Sequence, residues 1–120
     1  MKYVTDNPIV QFSFEFAKLI ILFTEELGKH RKYNLSKQLF RCGTPIGANI
    51  GEAQNAESKA DFVHKMKIAA KETDEVLYWL ELCNEFEGIS LPSTLIEKAI
   101  VIHKMLNKII GTTKANMKEN

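Results

Sequence analysis

The sequence predicts an all-α protein, an antiparallel up-down-up-down four-helix bundle that occupies residues 1–120 as one domain. Three observations predict it. Apolar residues recur at helical spacing in four separate stretches, and no segment shows sustained period-2 alternation. Short polar segments carrying helix start and stop residues join the stretches, which favours antiparallel neighbours. The chain is 45% hydrophobic and 26% charged, with three prolines and six glycines, a composition of globular proteins. At 120 residues it is long enough for one core and too short for two ordinary ones.

The first helix spans about 8–28. Asn7-Pro8 supplies an N-cap and a first-position proline, whose missing N–H is harmless there. Phe12, Phe16, Leu19, Ile20, Phe23 and Leu27 form its stripe, which stops at Gly28. A second stripe, Ile9, Phe14, Ile21 and Leu22, makes the helix apolar on more than one side, so contact with another subunit is expected. The second helix, about 34–54, starts at a capping Asn34 and carries Leu35, Leu39, Phe40, Ile46 and Ile50. The third, about 58–87, opens on the capping-box-like Ser58-Lys59-Ala60-Asp61, with Asp61 favoured by the helix dipole in the first turn. Phe62, Met66, Ala69, Val76, Leu80 and Cys83 line it, and Gly88-Ile89 read as a Schellman-type stop. After Pro92, Leu95, Ala99, Ile102, Leu106 and Ile109 mark a fourth helix, about 92–111, followed by a flexible C-terminal tail.

The segment from Arg41 to Ser58, "RCGTPIGANIGEAQNAES", departs from this regularity, because Gly43, Gly47 and Gly51 lie four apart with Pro45 among them. It is not a Walker loop, since no Gly-Lys-Ser/Thr follows, and it lacks the strand and spacing of a dinucleotide fingerprint. Residues four apart align on a helix, so the glycines form a smooth strip that another helix backbone can approach. Three glycines at about 1 kcal/mol each and a proline at about 3 sum to roughly 6 kcal/mol of unfavourable propensity. That is comparable with the whole stability of a small domain, so close packing must offset it or the helix must break at Thr44-Pro45. A kinked, continuous, closely packed helix is the reading adopted, and the break is its alternative. Asn49 and Glu52 are expected as buried or half-buried polar pins that hold register.

Little points to catalysis. A di-iron bundle needs two Glu-x-x-His units and two further inward glutamates. The nearest match is Asp61-x-x-His64, whose aspartate already serves the helix start; His30 falls in a turn and His103 has no carboxylate three before it. Cys42 and Cys83 have no activating partner in sequence. A disulfide between them is not expected either: their positions in the bundle differ axially by roughly 20 Å, against a reach of about 7 Å between Cα atoms. No enzyme, metal or cofactor is expected; a metal-dependent bundle enzyme is the remote alternative. "MKYVTDNP" shows no signal-peptide pattern and Leu19 to Phe23 is far too short to span a membrane, so a cytoplasmic protein with reduced thiols is expected.

Net charge is +1, from 16 basic and 15 acidic residues, which gives no support to strong nonspecific nucleic-acid binding. Placement says more. Lys59, Lys65, Lys67 and Lys71 occupy the first half of the third helix, whereas Glu72 to Glu87 holds acids and no base. Lys29, Arg31, Lys32, Lys37 and Arg41 gather about the first turn, which an up-down bundle puts beside those acids. The opposite end combines Lys59, Lys65, Lys67 and Lys71 with Lys104, Lys108 and Lys114, the expected place for a nucleic-acid backbone, with a solvated lysine face as the plainer reading. Tyr78, Trp79, Leu82 and Phe86 lie on a second face of the third helix and, with Phe14 and Ile21, are the expected homo-oligomer contacts.

The run from Tyr33 to Glu81, with Gln38-Leu39-x-Arg41, Ile46, Asn49-Ile50-x-Glu52 and Asp61-Phe62, resembles the 23S rRNA intervening-sequence proteins, and the remaining helices match that family's layout over nearly the whole chain. The resemblance implies an antiparallel four-helix bundle assembling as a ring, commonly a pentamer, with no established enzymatic activity. A related branch is similar to accessory proteins of diversity-generating retroelements, which bind a reverse transcriptase and nucleic acid through a basic ring surface. The partners implied are therefore other copies of the chain and RNA or a nucleoprotein. A protein-interaction scaffold without nucleic-acid affinity is the alternative.

Overall fold

The apolar repeats fold into five helical segments: α1 (Pro8–Lys29), α2 (Tyr33–Gly43), α3 (Pro45–Ala53), α4 (Lys59–Cys83) and α5 (Ser93–Glu119). The computed structural model describes residues 1–119, and no strand occurs among them. Segments α2 and α3 follow one another as a single rod, so the segments form four rods. α1 packs on α2, α3 and α5, and α4 packs on the same three, which leaves α1 and α4 diagonally opposed. This is the expected antiparallel four-helix bundle. Its centre is filled by Phe16, Ile20, Leu39, Ile46, Ile50, Met66, Leu80, Ile102 and Leu106, each essentially inaccessible to water. Burying such a side chain contributes about 1.5–3 kcal/mol before conformational entropy is counted.

Several boundaries differ from those expected. α1 ends at Lys29, and the reversal of the chain uses a left-handed Arg31 (φ 62°) rather than Gly28. Asn7 holds the N-cap position without a side-chain cap bond; its Nδ2 donates instead to Gln54 Oε1 at 3.2 Å. α2 starts at Tyr33 after an N-cap at Lys32, so Asn34 lies in the first turn and does not cap it. α4 stops at Cys83, earlier than 87, because the next N–H groups tighten onto carbonyls three residues back: Glu85 to Leu82 and Phe86 to Cys83. Gly88 does take positive φ (85°), but within the loop rather than as the helix stop. α5 continues to Glu119 where a tail was expected after 111, running antiparallel beside the first turns of α4. The start of α4 matches its expectation: Ser58 Oγ accepts the Asp61 N–H at 3.0 Å, and Asp61 Oδ2 accepts the Glu57 N–H at 3.2 Å.

The glycine segment combines both of its readings. Thr44 keeps helical dihedrals (φ −74°, ψ −34°), and its N–H reaches the Phe40 carbonyl at 3.3 Å, so the rod keeps its course. Pro45 has no N–H to offer, so the hydrogen-bond ladder is interrupted there and α3 begins afresh. The Thr44 hydroxyl does not cap α3; it donates back to Phe40 O at 2.7 Å. The three glycines do form a strip, and it faces α1 and the N-terminal residues. A Cβ at Gly43 would lie 2.9 Å from Ile20 Cγ2, and one at Gly47 would lie 3.3 Å from the backbone oxygen of Ser13. At Gly51 it would run into the Tyr3 ring. Ser13 itself is buried and satisfies its hydroxyl on Val10 O at 3.1 Å.

This contact can be tested against a second helical glycine. Gly47→Ala must push α3 from the Ser13 backbone, and is expected to lower stability by about 1–3 kcal/mol. Gly111→Ala meets no atom within 4 Å on the exposed side of α5, and is expected to raise stability by about 0.5–1 kcal/mol. Urea denaturation of both variants checks the pair; equal shifts would show that the strip is not a close backbone contact.

Candidate functional site

Antiparallel packing of α5 on α4 brings the lysine-rich halves of both helices to one end of the bundle. One contact across the groove marks their register: near the middle, His103 Nε2 meets Asp74 Oδ1 at 2.7 Å. Nearer the end, proximity to Lys67 lowers the Lys114 pKa below its ordinary value. Lys67 and Lys71 on α4 are exposed, and so is Lys104, which follows His103 on α5.

Not every expected lysine shares this groove. Lys65 is half-buried and held by Asp61, with Nζ at 3.1 and 3.0 Å from its two carboxylate oxygens. That contact and the Glu57 N–H keep the Asp61 carboxyl below the usual aspartate range. Lys59 is exposed at the first position of α4. Lys108 is exposed too, but it is six positions before Lys114 and so projects from a different side of α5.

The other end behaves differently. Arg41 forms an ion pair with Glu75, and its Nε and Nη2 reach Gln38 Oε1 at 3.1 and 2.8 Å. Trp79 Nε1 donates to the same Glu75 at 3.4 Å. Beyond the kink, half-buried Asn49 donates to Glu72 Oε1 at 2.7 Å. These polar contacts tie the kinked rod α2–α3 to α4. Asn49, expected as a polar pin, is half-buried and bonded to Glu72, a carboxylate no sequence signal singled out. Glu52 is exposed and is not a buried pin: it sits three positions after Asn49, where the helix has turned outward.

The expected oligomer contacts occupy two faces. Phe14 and Ile21 are exposed on α1, where the Phe14 ring stacks on Tyr3 with centroids 5.1 Å apart. Tyr78 on α4 and Phe86 after it are about half exposed, and Trp79 and Leu82 are half-buried. Leu22, from the second stripe of α1, is exposed too, and Phe40 on α2, which the sequence placed in a buried stripe, extends the exposed apolar surface. A shallow apolar recess of ≈ 340 Å³ lies between α1 and the start of α5, lined by Leu19, Leu22, Phe23, Pro92 and Leu95.

Cys42 and Cys83 are buried, separate thiols. Burial, then the nearby Glu75 charge, pushes the Cys42 thiol up to about 12, and burial raises Cys83. No three His, Cys, Asp or Glu side chains gather as a ligand set among the described residues. No helix among them is long and apolar enough to cross a membrane.

Two outcomes follow from these environments. Neither thiol is expected to react with a water-soluble disulfide reagent at pH 8 until the protein unfolds, whereupon both react; fast labelling of the native protein would contradict their burial. Glu72 is pushed above the usual glutamate range by burial, against the lowering effect of Asn49. A carboxyl raised on folding binds more protons folded than unfolded, so its contribution to stability falls as pH rises through the folded pKa. Glu72→Gln, which keeps an acceptor for Asn49, is therefore expected to raise the urea midpoint at pH 7 and leave it nearly unchanged near pH 4.

Comparison with known proteins places this geometry. A family model described as 23S rRNA-intervening sequence protein matches residues 5–108. A crystal structure of a protein of unknown function from the S23 ribosomal protein family of Bacteroides thetaiotaomicron is 41% identical, superposes with a TM-score of 0.81, and aligns over 85% of this chain and 97% of its own. No curated protein matches. On the match over residues 5–108 and this likeness in both sequence and fold, the chain belongs to the 23S rRNA-intervening sequence protein family.

Proposed function

We propose that this protein is a non-enzymatic, oligomeric bundle that binds RNA, or a nucleoprotein containing it, through the lysine-bearing end of α4 and α5. The observation that carries this reading is the unequal use of charge at the two ends. Arg41 is paired with Glu75, whereas Lys67, Lys71 and Lys104 are exposed and form no ion pair among the described residues. Like charges brought together on a surface favour an anionic partner. The name of the matched family, with its reference to ribosomal RNA, is consistent with that partner.

Assembly into a ring supports the same reading. The exposed apolar residues Phe14 and Ile21 lie on α1, and Tyr78 and Phe86 belong to α4 and its following loop, on diagonally opposed rods. Two unlike patches on opposite sides suit a head-to-tail interface, which closes into a ring if the rotation allows. A ring, with the pentamer as its expected size, would repeat the lysine groove around one face. The same apolar surface also favours the second reading, a protein-interaction scaffold without RNA affinity.

Replacing Lys65, Lys67 and Lys71 together by Glu is expected to weaken binding to a structured RNA by more than tenfold and to flatten its dependence on salt. Unchanged binding would remove the lysine end from consideration, and absence of RNA binding by the unaltered protein would favour the scaffold. Sedimentation or mass measurement in solution checks the assembly; a monomer would overturn it.

A further inference from the structure

Exposed apolar side chains gather on two opposite edges of the bundle. The first edge lies between α1 and the α2–α3 rod. Its register is set by three contacts: Ser36 Oγ donates to Thr24 O at 2.8 Å, Gly43 faces Ile20, and Gly47 faces Ser13. That register puts Phe40 level with Ile21, and both are exposed. The second edge lies between α4 and α5. One turn on from the Asp74–His103 pair, Leu77 comes level with Ile100; Leu77 is half-buried, and Ile100 and the adjacent Tyr78 are exposed. The edges face away from each other, because α1 is diagonal to α4 and the α2–α3 rod to α5. They also stand at one height. Counted antiparallel from the Arg41–Glu75 and Asn49–Glu72 pairs, Phe40 lies beside residues 76 to 81 of α4, a range that contains Tyr78. Charge differs between the edges at that height. Lys37, one turn from Phe40, and Glu81, one turn from Tyr78, are exposed and form no ion pair among the described residues. Glu97, one turn from Ile100, is a second exposed acid of the α4–α5 edge. Glu25 on α1 is acidic too, so the positive charge of the first edge rests on α2. Phe86 stands apart from both edges, against Arg31 and Leu35 at the start of α2.

We infer that these two edges are the halves of one head-to-tail contact between copies of the chain: Tyr78 and Ile100 of one copy pack on Phe40 and Ile21 of the next, and Glu81 pairs with Lys37 at the rim. This rests on the assembly reading above, and makes Ile100 rather than Phe86 the companion of Tyr78. Apolar side chains exposed on both edges leave water together in such a contact. The free carboxylate and the free ammonium flank them on opposite halves, so they favour this pairing and oppose the pairing of either edge with itself. With both halves at one height, successive copies stand side by side without a step along the bundle axis, as closure of a ring requires.

The test is sedimentation velocity of the full chain and its variants over a range of protein concentrations. Phe40→Ser and Ile100→Ser, one on each edge, are each expected to raise the concentration needed for half-assembly by about tenfold or more. Phe86→Ser should leave it within about twofold, as expected of an apolar side chain outside the contact. Lys37→Glu and Glu81→Lys each place like charges across the rim and are expected to weaken assembly by about fivefold. Combined, the two reversals restore an opposite pair, and assembly is expected to return to within about twofold of the unaltered chain. Assembly that withstands both Phe40→Ser and Ile100→Ser would overturn this contact while leaving assembly through another surface intact. A monomeric unaltered chain would instead remove the assembly reading, and the contact with it. Single reversals that weaken assembly without rescue in the double variant would overturn the pairing of Lys37 with Glu81. All five positions are exposed, and helical content and urea midpoint of each variant confirm folding.

Discussion

Gly47 approaches α1 so closely that its missing side chain defines the distance between two rods: any Cβ there would sit 3.3 Å from the Ser13 carbonyl oxygen. Ser13 is correspondingly small and buried, and it hydrogen-bonds within its own helix rather than to α3. Gly43 beneath Ile20 and Gly51 beneath Tyr3 repeat the arrangement along the same side. Dispersion contacts decay steeply with separation, so the helices gain most where backbones meet without intervening side chains. That gain offsets the poor helix propensity of this segment and explains why a sequence so rich in glycine is helical at all.

Pro45 falls within this close contact. It removes one N–H from the ladder while Thr44 stays helical, so the rod divides into α2 and α3 without changing its partners. With α1 held against the glycine side, the polar side of the same rod turns to α4. There Arg41 pairs with Glu75 on one side of the kink and Asn49 with Glu72 on the other. A slip of α2–α3 along α4 would separate both pairs and leave Glu72 half-buried without its donor. Close packing sets the spacing of this rod, and the polar pairs set its register.

Fixing that rod also determines what is left for the surface. The acidic half of α4 is engaged by Arg41 and, across the other groove, by His103. Among the described residues the lysine half has no comparable ion pair apart from Lys65 on Asp61. A chain whose net charge is close to zero thereby presents one end of concentrated positive charge. The apolar surplus is likewise divided, with Phe14 and Ile21 on one rod and Tyr78 on the diagonal one.

The all-helical class, the four rods and their antiparallel order were legible in the sequence, because helical periodicity and cap residues are local signals that need no partner. Ser58 with Asp61 and Asn7-Pro8 marked helix starts within a residue or two of where they stand. The glycine strip was legible for the same reason: spacing by four aligns residues whatever they face. What it faces was not, since nothing local tells that Ser13, Ile20 and Tyr3 come to meet it. Only the tertiary structure decided that Thr44-Pro45 interrupts the ladder without redirecting the rod, and that Asn49 finds Glu72 while Glu52 stays exposed. It also separated Lys67, which is exposed, from Lys65 two positions earlier, which is held by Asp61. Periodicity assigns each residue to a face of its own helix, but the neighbour across a groove depends on the axial shift and rotation between two helices, and those are set by the whole packed core.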